Sequence, residues 1–193
     1  MQSADEAHRP PIFFHFFLPF FVYCTMQVIS YDRPAVQAYA KKWAFSRNPE
    51  YFDFSRIGGD CTNYASQCLY AGVGVMNATP DLGWFYRSVN DRAAAWTGVE
   101  FFYRFLIENA VGDGVGTGEG PFGVQIPLSQ VEIGDFLQLG NSVGDFYHTP
   151  VVVGFANGEP LVAAHTNDAF LRPLRSYSFA NLRCIHILGA RTI

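Results

Sequence analysis

Cys61 follows Gly58-Gly59-Asp60 and leads into Thr62-Asn63 at the start of a segment with helical character. Asp60 is a good N-cap residue, which predicts a helix from Cys61 to Ala71, closed by Gly72 as its C′ glycine. A thiol in the first turn of a helix meets unpaired backbone N–H groups and the positive end of the helix dipole, and both favour thiolate over thiol. The two glycines let the backbone turn sharply and leave room for a substrate. The same N–H groups could hold an oxyanion. The chemistry this spacing predicts is nucleophilic attack on a carbonyl carbon. The competing role for any single cysteine is that of a small buried apolar residue, and it is the reading for Cys68, mid-helix beside Leu69.

A thiol nucleophile needs a base, and the base needs an orienting partner. His148 opens an apolar run through Val151-Val152-Val153, so it is expected at the mouth of a sheet, facing a helix N-terminus packed there. Asn157-Gly158 is a two-residue hairpin signal. Carried back along the strands, that turn sets Asn167 opposite His148 and His165 two residues away on the same face. A one-residue bulge would reverse every facing and make Asp168 the candidate instead. His148, His165 and Asp168 could alternatively form a three-ligand zinc site, which leaves the placement of Cys61 unexplained. No two of Cys24, Cys61, Cys68 and Cys184 have Cys-x-x-Cys spacing; a Cys68–Cys184 bridge is possible on paper, but free, buried cysteines are the expected state.

The elements that must position these residues are legible from period and punctuation. Asp32 followed by Pro34 reads as a helix start. Ala35, Val36, Tyr39, Ala40, Trp43 and Ala44 follow at helical spacing until Asn48-Pro49. Residues 96–110 predict a third helix with Phe101, Phe102, Phe105 and Leu106 on one side. Residues 112–123 are glycine-rich and read as a surface loop, since no strand precedes them and no Lys-Ser/Thr follows. Gly134-Asp135 reads as a turn, with Asp135 structural. Strands are expected at 136–139, 148–155, 160–165 and 184–188. Helices first and an antiparallel sheet after them predict an α+β fold with segregated layers.

The chain has 193 residues and a formal net charge of -4, with its thirteen Lys and Arg scattered, which argues against a nucleic-acid partner. Residues 1–30 read as an apolar leader and 31–193 as one domain. The run 12–29 is almost wholly apolar, and Val28-Ile29-Ser30 is an acceptable cleavage signature. Export or membrane anchoring, with membrane contact through 12–29, is therefore expected, with a cytoplasmic protein as the alternative. No cofactor is implied.

The segment Gly59-Asp-Cys-Thr-Asn-Tyr-Ala-Ser-Gln-Cys-Leu69, with Tyr70-Ala71-Gly72, resembles the nucleophile motif of the putative amidase domain family found in bacteria. Trp96-Thr-Gly-Val99, Gly134-Asp-Phe-Leu-Gln-Leu139 and His165-Thr-Asn-Asp168 are similar in the same order, as is the opening Tyr31-Asp-Arg33. The family is allied to the CHAP and NlpC-type cysteine peptidases, so the resemblance implies a circularly permuted papain-like core. It also implies Cys61 as nucleophile, His148 as base and His165 in the third role, with Asn167 as support or substitute. Thr149-Pro150 departs from the residues usual after the base, and Pro150 removes a ladder N–H at that point. The expected activity is cysteine-dependent hydrolysis of an amide bond in a peptide or peptidoglycan-type substrate. A papain-like binding module without turnover and a zinc-dependent hydrolase are the alternatives.

Overall fold

The computed structural model describes residues 26–111 and 118–192. Four helices occupy the first part: α1 (Arg33–Trp43), α2 (Cys61–Val73), α3 (Ala94–Thr97) and α4 (Val99–Val111), with a small hairpin of β2 (Tyr86–Ser88) and β3 (Asp91–Arg92) between α2 and α3. Before α1 lies β1 (Gln27–Ile29). The remaining strands are β4 (Gly120–Ile126), β5 (Phe136–Gly140), β6 (Phe146–His148), β7 (Val151–Ala156), β8 (Glu159–Ala164), β9 (Ala169–Pro173) and β10 (Asn181–Thr192). The fold is α+β: the helices pack against one curled antiparallel sheet in the order β1-β10-β5-β7-β8-β9, with β4 also on β10 and β6 also on β5.

Period-2 alternation divides the sheet between two apolar layers. Phe136, Val151, Val153, Ile185 and Ile187 face the helices, where Trp84, Trp96, Tyr64, Leu69, Phe102 and Leu106 complete the main core. Leu137, Leu139, Val152, Val162 and Cys184 point to the other face, beneath Leu174 and Val131. At the start of α1, Asp32 accepts the Ala35 N–H at 2.9 Å with Pro34 in the first turn, as the spacing predicts. Arg33 then reaches buried Asp135 at 2.7 Å, and Asp135 also meets His186 Nδ1 at 2.9 Å. That ion pair joins α1 to the turn before β5.

Helix α2 is the centre of the molecule, with eleven of its thirteen residues buried. A helix with so many polar side chains tolerates burial only if they are hydrogen-bonded, and they are. Asn63 accepts from the Trp96 indole at 2.9 Å, Ser66 accepts from the Trp84 indole at 3.0 Å, and Gln67 accepts from the Tyr39 hydroxyl at 2.8 Å. The helix ends two residues later than expected. Gly74, at φ 66°, takes the left-handed cap and donates to Tyr70 O, whereas Gly72 is a close-approach residue: a Cβ there would come within 2.5 Å of Tyr31 and Val36.

Other expectations change in the structure. The third helix is broken at Gly98 into α3 and α4, and Phe101 is exposed while Phe102, Phe105 and Leu106 are buried. Within the expected loop 112–123, residues 112–117 lie outside the described residues, and Gly120 onward pairs with β10 as a strand. The cysteines do not change: Cys61, Cys68 and Cys184 are free, buried thiols, as the reading of them as small buried residues has it, and no Cys68–Cys184 bridge forms. Membrane anchoring through residues 12–29 is overturned. Gln27–Ile29, at the end of that run, pair with Thr192–Ala190 as a sheet strand, so their backbone bonding is lateral rather than helical. Among the described residues no helix is long and apolar enough to cross a membrane. Residues 1–25 of the expected leader lie outside the described residues.

The hairpin register matches the two-residue turn at first: Ala156, Phe155 and Gly154 face Glu159, Pro160 and Leu161. A bulge at Val153 then shifts it, so that Val152 faces Val162 and Val151 faces Ala163. Thr149-Pro150 interrupts the strand further back. His148 belongs to β6 and pairs with Leu139 of β5, not with β8, and His165 lies in the turn that follows β8. The facing of His148 with Asn167 by simple ladder pairing is therefore lost.

Candidate active site

Cys61 is the first residue of α2, 7% exposed. The approach to it is built by Gly58 and Gly59 at φ 94° and 109°, backbone that L side chains rarely adopt. A Cβ on Gly59 would also lie 3.3 Å from Thr166 Oγ1. The next residue, Asp60, holds the N-cap position but does not cap with its side chain. Its carboxylate instead accepts from the Phe54 N–H at 2.9 Å and from the Asn63 amide at 2.8 Å, and it meets His165 Nδ1 at 2.6 Å. Arg47 Nε lies 3.5 Å away, and Arg47 grips Asp168 with two bonds of 2.9 Å.

His165 is consumed by this arrangement. Its Nε2 lies 2.8 Å from the Trp43 carbonyl, which can only accept, so Nε2 carries a proton. Nδ1 lies 2.6 Å from the Asp60 carboxyl, so both ring nitrogens have polar partners. Tyr64 stacks on the imidazole with centroids 3.9 Å apart. The ring is 1% exposed and sits behind Asp60.

His148 has different surroundings. It is 8% exposed, with the Tyr177 ring 5.6 Å away, centroid to centroid. Burial, and the neighbouring Arg172 guanidinium, push its pKa down to about 4. The Cys61 thiol is pushed up: burial outweighs the Thr149 N–H, the Thr62 hydroxyl and the Thr62 N–H, which pull the other way. The thiolate expected from the helix dipole is therefore not the resting form. A neutral thiol and a neutral imidazole line the same cleft.

The two are held to one another through their neighbours. Thr62 and Thr149 hydroxyls meet at 3.2 Å, tying the first turn of α2 to the residue after His148. Cys61 Sγ lies 4.0 Å from Tyr147 O. Gln138 reaches Thr149 from β5 at 3.3 Å and is itself held by Arg183 at 2.6 Å. A cleft of about 250 Å³ opens over this junction. Its walls are Gly58, Gly59 and Cys61 on one side, Tyr147 and His148 on another, the turn residues Thr166 and Asn167, and Arg172, Ser176, Tyr177 and Ser178 from the end of β9 and the turn beyond.

Cys61, His148 and Asn167 thus share one cleft, whereas His165 lies beneath it and Asp168 pairs with Arg47. Thr166 and Asn167 both have positive φ, 60° and 75°, at the centre of the turn between β8 and β9. Asn tolerates that conformation, but a β-branched residue there is a genuine outlier. Thr166 is held in it by accepting the Asp60 N–H at 2.7 Å. The turn is thereby fastened to the residue before Cys61. Sequence reasoning missed Arg47, Thr166, Arg172 and Tyr177 as parts of the site. The His165-Thr-Asn-Asp168 motif carried a signal for Thr166; Arg172 and Tyr177 lie in a segment with no distinctive spacing.

For the zinc alternative, His165 and Asp168 spend their ligand atoms on Asp60, Trp43 O and Arg47. Among the described residues no three His, Cys, Asp or Glu side chains converge as metal ligands.

Comparison with known proteins gives the class. Residues 30–188 match the family described as Putative amidase domain, and the chain belongs to that family. Among curated proteins it is similar to the uncharacterized protein YhbB of Bacillus subtilis (strain 168), with 30% identity over 156 residues, 76% of this chain. The chain spans 45% of that relative's length. No solved structure matches.

Proposed function

We propose that this domain hydrolyses an amide bond by thiol catalysis, with Cys61 as nucleophile and His148 as general base and then general acid, in a papain-like arrangement related to the CHAP and NlpC-type peptidases. The observation that carries the reading is the shared cleft: a cysteine opening a buried helix and a histidine with depressed basicity line one substrate-sized space. Because both groups rest neutral, attack and proton transfer are coupled. The Sγ–C bond forms as the thiol proton passes to the imidazole. The N–H groups at the start of α2 stabilise the oxyanion. The imidazolium then protonates the leaving amine, and water, deprotonated by His148, cleaves the thioester.

Asn167 is the polar turn residue that positions substrate or imidazole, and His165 acts at a distance by holding Asp60. A peptide or peptidoglycan-type amide is the proposed substrate class. Turnover of peptide amides by the wild type, lost in both Cys61→Ala and His148→Ala with their folds intact, is the expected result. Equal residual turnover in Cys61→Ala would overturn it. The second reading is a binding domain without turnover, favoured by the burial of Cys61 and its raised thiol pKa. It predicts substrate binding in wild type and Cys61→Ala alike, with no product from either.

A further inference from the structure

Of the side chains lining the cleft, Arg172 carries the permanent charge, and no acid lines it. Arg172 Nε donates to Ser176 Oγ at 2.8 Å and Nη2 to Ser176 O at 3.1 Å. Its guanidinium carbon lies 3.9 Å from the centre of the Tyr177 ring. The Ser176 hydroxyl is itself fixed, donating to Pro173 O at 2.7 Å. The fork is therefore pre-oriented, which lowers the entropic cost of using it. Arg33, Arg47 and Arg183 each meet a carboxylate in the structure. Arg172 meets none among the described residues. A half-buried guanidinium, braced by a serine and an aromatic ring at the edge of a catalytic cleft, matches what recognition of a carboxylate requires.

We infer that Arg172 is a specificity residue, and that the substrate carries a carboxylate close to the scissile amide, bound by this guanidinium while Cys61 attacks. The inference rests on the hydrolase reading for the word substrate, but its binding component stands without turnover. Burial is the larger cause of the depressed basicity of His148, and the neighbouring Arg172 guanidinium adds to it. A bound carboxylate would neutralise the field of Arg172, so an acidic substrate would strengthen the base that acts on it, and a neutral analogue would not.

The test uses the full chain carrying Cys61→Ala, so that ligands persist. Its probes are blocked tripeptide amides with Glu or Gln placed at each position in turn. Dissociation constants are measured by titration followed by NMR. The expected result is at least tenfold tighter binding of Glu over Gln at one position, weakening with added salt and vanishing when Arg172→Gln is added. Arg172→Lys, which keeps the charge but not the fork, should recover part of the ratio. The His148 pKa, followed in the same spectra, should rise in Arg172→Gln, which also reports that the variant is folded. A Glu/Gln ratio near one at every position, whether from equal binding or from no binding, overturns the inference, as does a ratio that survives Arg172→Gln. Turnover is scored separately with the Cys61 form. Discrimination without turnover would refute the hydrolase reading alone, and turnover indifferent to Glu or Gln would refute the role of Arg172 alone.

Discussion

His148 and His165 lie on either side of the residue pair Asp60-Cys61, and they are treated by the protein in opposite ways. His165 has both ring nitrogens committed, to Asp60 and to Trp43 O, and a tyrosine stacked on its face. His148 opens onto the cleft, beside Arg172 and Tyr177, with its basicity depressed. A histidine whose bonds are all made contributes rigidity; one that keeps its nitrogens for a ligand can move a proton. The contrast also explains why the loop before Cys61 is so heavily tied. Cys61 sits at the seam of α2 and the β6–β7 junction, and the Asp60–His165–Arg47 group fixes one side of that seam while leaving the other open.

Substitutions at the two histidines should separate these roles. His148→Ala should reduce amide turnover by roughly three to four orders of magnitude, read as initial rates, while the denaturation midpoint changes little. Similar losses in stability and rate would place His148 in the structural class instead. His165→Leu should do the reverse: removing a hydrogen-bond partner of the buried Asp60 carboxyl should cost about 3 kcal/mol of stability, measurable by urea unfolding. A stable His165→Leu protein would show that Asp60 is held adequately by Phe54, Asn63 and Arg47.

The pH dependence sharpens the comparison. His148 titrates at about 4 when folded and near 6.5 when unfolded. Between those values the unfolded state binds more protons, so stability falls as pH drops from about 6.5 towards 4 and levels off below. The His148 contribution to that fall is about 3 kcal/mol at 1.36 kcal/mol per unit, and it should disappear from urea titrations of His148→Ala. The smallest effect is expected at Thr166→Ala. Losing the acceptor for the Asp60 N–H should cost about 1 kcal/mol, with a larger proportional loss of turnover because the approach to Cys61 loosens.

How much of this was legible in the sequence depended on how local its causes were. The Asp32–Pro34 helix start, the helix at Cys61 and the Asn157-Gly158 turn follow from neighbouring residues, and the structure contains all three. The register failed a few residues from the turn because the bulge at Val153 is a long-range accommodation with no marker of its own. Pro150, by contrast, did announce an irregularity. His165 was expected above the cleft because strand alternation placed it there. What buries it is Trp43 O and the Asp60 carboxylate, which arrive from α1 and α2, 122 and 105 residues away in sequence. Asp60 was read as a helix cap because that use is local; besides its local bonds to Phe54 and Asn63, its carboxyl reaches His165 across 105 residues.

Strand β10 has one more consequence. It borders β1, β4 and β5 together, so three pieces of the sheet drawn from the beginning, middle and later part of the chain are joined only through residues 181–192. During synthesis β1 and β4 must wait, with their edges unpaired, until residues 181–192 have emerged, whereas β5 to β9 can pair with one another before that. The helices, whose contacts are closer in sequence, can form beforehand. Joining of the sheet is thus paced by β10, and an interruption of translation before residue 181 would release a chain in which β1 and β4 have no partner strand.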